Sequence, residues 1–99
     1  MSFQSSRAAR VNLGEAEAIA AQGFAFLAAE PPRLMAFLAA TGLELDDVRQ
    51  SAGTREFLAA VLDYLLRDES LLLVFAAEAA IPPEQVTMAA HVLGGGPPA

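Results

Sequence analysis

The sequence predicts an all-α fold: a compact six-helix bundle made of two tandem three-helix units, 16–53 and 54–91. Three observations carry that expectation. The 99 residues are 55% apolar and include 22 alanines, the strongest helix former, while no run alternates β-branched with polar residues as a half-buried strand does. Prolines, glycines and capping residues divide the chain into short segments, each with its apolar residues at helical spacing. Sliding the sequence along itself until Ala16 meets Thr54 then lays the breaks of the first half over those of the second.

The first helix is expected from Leu13 to about Ala29. Asn12 stands just before it, and Glu15 follows Asn12 by three, so each side chain can satisfy an exposed backbone donor of the other as a capping box. Pro31 and Pro32 have no N–H to continue that helix but suit the first turn of a second one, which runs to Thr41 and stops at Gly42. The third, about Glu44 to Ala52, carries Glu44, Asp46 and Asp47 early, where the positive end of the helix dipole favours acids, and Gly53 ends it. Thr54 caps the fourth, whose Phe57, Leu58, Val61, Leu62, Leu65 and Leu66 make a broad apolar face. Glu56, Asp63 and Arg67 share its remaining stripe, and Asp63 lies one helical turn before Arg67, the favourable order for a surface ion pair. The fifth opens at Asp68 or Glu69, holds Leu71 to Phe75 in one apolar run, and ends near Ala80; Pro82 and Pro83 start the sixth, which reaches about Leu93. Residues 1–12 are expected to be a flexible N-terminal tail and the Gly- and Pro-rich 94–99 a disordered one, leaving 13–93 as a single helical domain.

The internal match pairs 16–53 with 54–91 without a gap, and seven pairs are identical, among them Leu27/Leu65, Phe37/Phe75 and Val48/Val86. Identity at that level arises between any two helical stretches rich in Ala and Leu. The coincidence of breaks and acids, with Glu30 over Asp68 and Asp46 over Glu84, is what marks a repeat. The copies differ in weight. The first is rich in alanine and the second in leucine, so an adhesive surface is expected within Thr54 to His91.

Composition excludes several functions. With no Cys there is no thiol nucleophile, disulfide or Cys-based metal site, and the lack fits a reducing cytoplasm. Twelve acids oppose six arginines and no lysine, a formal charge of −6, which disfavours phosphate backbones and anionic membranes. Arg7 and Arg10 make the one basic patch. Glu15, Glu17, Gln22 and Gly23 interrupt the apolar stretch that a secretory signal would need, and no segment reaches about 18 uninterrupted apolar residues, so no membrane span is expected.

No constellation of catalytic type stands out. His91 is the only histidine and has no second ligand at metal spacing, and the chain lacks both a Gly-x-Ser-x-Gly elbow and a phosphate loop. Asp63 with Glu56, or Asp68 with Glu69, could pair carboxylates on one helix, but a solvated stripe and a helix start account for them. Tyr64 is expected to pack its ring. A structure gathering Asp63, Tyr64 and Arg67 in a polar pocket would reopen the question of catalysis. No catalytic, cofactor-binding or metal-ligating residue is therefore assigned, and no cofactor is expected.

Two surfaces and one spacing remain. The fifth helix is apolar all round, so it is either wrapped by helices two, four and six as the central core helix or exposed as an interface through Leu71, Leu73, Val74 and Phe75. Ala18, Ala21, Ala25 and Ala29 make a smooth stripe on the first helix, which is ordinary helix filler or a close-packing face for a homodimer. Leu38, Gly42, Leu43 and Val48 have the spacing of a helix-turn-helix, yet the following helix offers Glu44, Asp46 and Asp47 against the single Arg49.

The phrases Phe26-Leu27-Ala28, Phe37 to Leu43, Phe57 to Leu66 and Asp68 to Leu72 resemble a family of short bacterial all-helical proteins known as a domain of unknown function. The resemblance covers about Gly14 to Leu93. It implies a small cytoplasmic helical protein and carries over no catalytic, metal or ligand residue. The reading reached is a noncatalytic protein–protein interaction module that binds a protein partner or itself; the alternative is a degenerate helix-turn-helix regulator using Arg7, Arg10, Arg49 and Arg55.

Overall fold

Each helix begins where short-range chemistry caps it. In the computed structural model, which describes residues 11–94, the Asn12 side chain accepts from the Glu15 N–H at 2.8 Å and the Asn12 N–H donates to the Glu15 carboxylate at 3.0 Å, opening α1 (Leu13–Ala28). Pro31 starts α2 (Pro31–Thr41), which closes on Gly42 at φ 77°, a left-handed conformation that costs glycine nothing. The Glu44 N–H donates to Asp47 at 2.9 Å before α3 (Leu45–Ser51). Thr54 accepts from the Phe57 N–H at 3.1 Å to open α4 (Arg55–Leu66), and Asp68 accepts from the Leu71 N–H, also at 3.1 Å, to open α5 (Glu69–Ala79). Pro83 begins α6 (Pro83–Leu93). No strand occurs among the described residues.

One end departs from expectation, and another falls where expected but in a strained turn. α3 is closed by Ala52 in ordinary right-handed geometry, and Gly53 has no left-handed φ, so glycine does not end that helix. At the end of α5 it is Ala80, with a side chain, that takes the left-handed turn at φ 58°. The Ile81 N–H donates back to the Ala76 carbonyl at 2.9 Å, so the Schellman wrap forms despite the strain.

The core is the junction of α1, α4 and α6, which pack most extensively on one another, with α2 and α5 laid against them. Positions Ala16, Ile19, Ala20, Gly23, Phe26 and Leu27 follow the three- and four-residue spacing of one helix face and are buried. Phe37, Phe75, Leu27, Leu62, Leu65, Val61 and Val86 are fully enclosed, each worth about 1.5–3 kcal/mol in removed apolar surface. Among the described residues five ring pairs cross-link the helices, including Phe24 on Phe57 at 5.2 Å and Phe37 on Tyr64 at 5.3 Å, both edge to face.

The fifth helix is not the central one. α5 lies at the flank and buries only Leu72, Phe75 and Ala76. The central place belongs to α1, α4 and α6, whose alternation of large residues with Ala16, Ala20, Gly23 and Ala89 lets the backbones approach. The expected tails fall largely outside the described residues; of the first, Val11 is half-buried against the core and Asn12 serves as the α1 cap.

Candidate functional site

A flanking helix that is apolar all round must show part of that surface to solvent. On α5, Leu73 is 49% exposed and Val74 41%, whereas Leu71 is half-buried against the core and Phe75 lies inside it, its ring 5.4 Å from that of Phe26. The predicted interface set therefore divides. Leu73 and Val74 face outward, Leu71 offers an edge, and Phe75 is a core residue because the α5–α1 crossing turns its face inward.

Exposed apolar side chains are not confined to the second half as expected. Met35 on α2 is 62% exposed and Leu45 on α3 56%, and Leu13 and Met88 add one more to each half. α2 and α3 are peripheral, and position in the bundle decides exposure more than bulk does. The stripe Ala18, Ala21, Ala25 and Ala29 is exposed along α1.

Two open grooves of about 300 Å³ each mark the surface. One lies between α1 and α5, floored by Phe26 and Phe75, walled by Ala25, Ala29 and Ala79 and rimmed by Gln22 and Glu78. The Arg33 guanidinium stacks 4.2 Å from the Phe26 ring, held there because Pro31 turns α2 back across the end of α1. Neither the groove nor this stack was legible in the sequence, since both depend on a chain reversal rather than on spacing within one helix.

The other groove lies between α2 and α4 and brings together Asp63, Tyr64 and Arg67 with Ala40, Thr41 and Ala60. Glu56 is not part of it. Asp63 and Arg67 form the predicted ion pair at 2.8 Å, with side chains 63% and 71% exposed. The three residues are thus gathered, in a groove open to water where the carboxylate already has a cation.

The helix-turn-helix geometry places α2 and α3 about Gly42, but α3 has only seven residues and Asp46 and Asp47 occupy its first turn beside exposed Glu44. Arg55, the first residue of α4, donates to the Val92 carbonyl at 3.2 Å, and Arg7 and Arg10 lie outside the described residues. All twelve acids but only four of the six arginines fall in the described residues, a formal charge of −8 for that body. Among the described residues no group of three or more His, Asp or Glu is placed to hold a metal ion. His91 is exposed in the last turn of α6. No single described helix is long and apolar enough to cross a membrane; α5 and α6 pass that test only as a pair bent by 105°.

With helices, breaks and grooves in place, the family model described as "Protein of unknown function (DUF3572)" matches residues 14–96. The chain belongs to the DUF3572 family. The match spans all six helices, so membership attaches to the whole bundle and to both grooves rather than to one motif. No curated protein and no solved structure matches the chain.

Proposed function

We propose that this DUF3572 protein is a noncatalytic helical interaction module that binds a protein partner, or a second copy of itself, through the outer side of α5. The observation that carries the reading is the pair Leu73 and Val74, adjacent and each more than two-fifths exposed on a helix packed along one side only. Covering the part of each that is still exposed gains about 1 kcal/mol apiece. Two side chains do not make a stable contact, which needs roughly 600–1,000 Å² per partner, so the surface extends over the edge of Leu71 and onto Ala77. The acidic body supports a protein partner over a nucleic acid.

Sedimentation velocity from low to high micromolar concentration tests self-association. The expected result is a concentration-dependent dimer that Val74→Glu removes while circular dichroism stays unchanged. A monomer throughout, with native complexes equally indifferent to Val74→Glu, defeats the reading.

A further inference from the structure

The crossing of α1 and α4 contains an unusual meeting. A Cβ built on Gly23 falls 3.2 Å from Val61 Cγ1 and 3.0 Å from Leu65 Cδ1, so at this point α1 has surrendered its side chain to α4. Val61 is the counterpart of Gly23 in the internal match that sets 16–53 over 54–91. Equivalent residues touch each other where a twofold axis passes, and at close approach there is room for one side chain between them.

A twofold also requires contacts in reciprocal pairs: where residue i meets the counterpart of j, residue j meets the counterpart of i. Phe26 lies 5.4 Å from Phe75, and Phe37 lies 5.3 Å from Tyr64; Phe75 is the counterpart of Phe37 and Tyr64 that of Phe26. The two grooves obey the same rule, since Ala25, Ala29 and Ala79 of one correspond to Asp63, Arg67 and Thr41 of the other. α2 and α5 coincide at both ends under the match, and each closes on a left-handed residue, Gly42 or Ala80. Over 16–53 and 54–91 only Ala16/Thr54 sets a buried residue against an exposed one.

We infer that the chain is a fused dimer, two three-helix units about a pseudo-twofold axis through Gly23 and Val61, whose inter-unit face fits a second copy of this chain by exchange of units. Four of the five ring pairs join the units, and only Phe24 with Phe37 lies within one. A unit parted from its mate exposes an apolar face whose complement is the other unit, whether of its own chain or of another. The link between them is slight. Thr54 donates its N–H and its hydroxyl to the Ser51 carbonyl, each at 2.8 Å, a Cβ on Gly53 would meet nothing within 4 Å, and α3 buries only Val48. Straightening that link lets two chains rebuild every inter-unit contact twice. This partner surface is separate from the outer side of α5.

The full-length, cysteine-free chain permits a direct test. Ala25 and Ala79 line one groove from different units, so a double variant Ala25→Cys/Ala79→Cys joined by a short bismaleimide within one chain fixes the reach of the reagent. Single variants Ala25→Cys and Ala79→Cys, with tags of different length, are then unfolded together, refolded and treated. A mixed covalent dimer is expected, absent when folded chains are mixed, and its ratio to monomer rises roughly tenfold per tenfold in refolding concentration while it is the minor species. Deleting Gly53 removes slack from the link and makes the dimer the main species. Refolded chains that give no mixed dimer at any concentration overturn the exchange, and they do so even where the Gly53 deletion fails to fold. A sedimenting dimer that Val74→Glu removes, without the mixed crosslink, also overturns it while leaving the α5 surface standing.

Discussion

α3 and α6 stand third in the two proposed units and do opposite work. α3 has seven residues, buries Val48 and leaves Leu45 in solvent. α6 has eleven, buries Val86, Ala89 and Leu93, and packs on both α1 and α4. Beyond the shared valine, α6 gains Ala89 and Leu93 on the same face one and two turns later, whereas α3 meets Ser51 and then breaks. The proposed units thus share a core that is symmetric in the first two helices of each and one-sided in the third. A repeat conserves contacts only as far as each copy continues its apolar face.

That contrast can be broken first at its far end. Leu93→Ala should cost about 2–5 kcal/mol, whereas Leu45→Ala at the surface of α3 should stay within about 0.5 kcal/mol, read from urea unfolding midpoints. Equal costs would remove the difference between the two helices.

The axis is the next point. Gly23→Val overpacks the crossing by about 1–3 kcal/mol, and Val61→Gly destabilises through a cavity and an added helical glycine. Exchanging the two in one chain should recover part of the loss, with a coupling of about 1–2 kcal/mol in a double-mutant cycle. Strict additivity would show that the two positions do not share one space.

A smaller effect separates the left-handed turns. Ala80→Gly relieves the strain at φ 58° and should stabilise by about 1 kcal/mol, while Gly42→Ala at φ 77° should lose about the same. Both shifts are measurable as changes in Tm. Smallest of all, Asp63→Asn removes an exposed ion pair and should change stability by a few tenths of a kcal/mol, with the difference fading in salt. A loss several times larger would mean that the groove around Tyr64 is less wet than its exposure indicates.

The helices were legible because their ends are short-range events. Asn12 with Glu15, Thr54 with Phe57, and Asp68 with Leu71 act within a single turn, and Pro31 and Pro83 act on their immediate neighbours. The ion pair of Asp63 with Arg67 was legible for the same reason. The candidate surface was only half legible. Periodicity assigns a core face when one side of a helix is polar, and α4 has such a side. On α5 it gave no preference between Val74 and Phe75, so the burial of one and exposure of the other waited for the crossing with α1.

Sequence alone therefore determined that the chain is six helices, where each of them begins to within a residue, and the acidic character of the body. Tertiary structure alone decided which helices are central, that Arg33 lies over Phe26, that Asp63 and Tyr64 share a groove with Thr41, and that Gly23 packs against Val61. Caps and turns are settled by groups close together in the chain, whose energies do not depend on the remainder of it. The centre of a bundle is settled by many weak contacts between distant segments, and it forms only when both sides of each contact are in place.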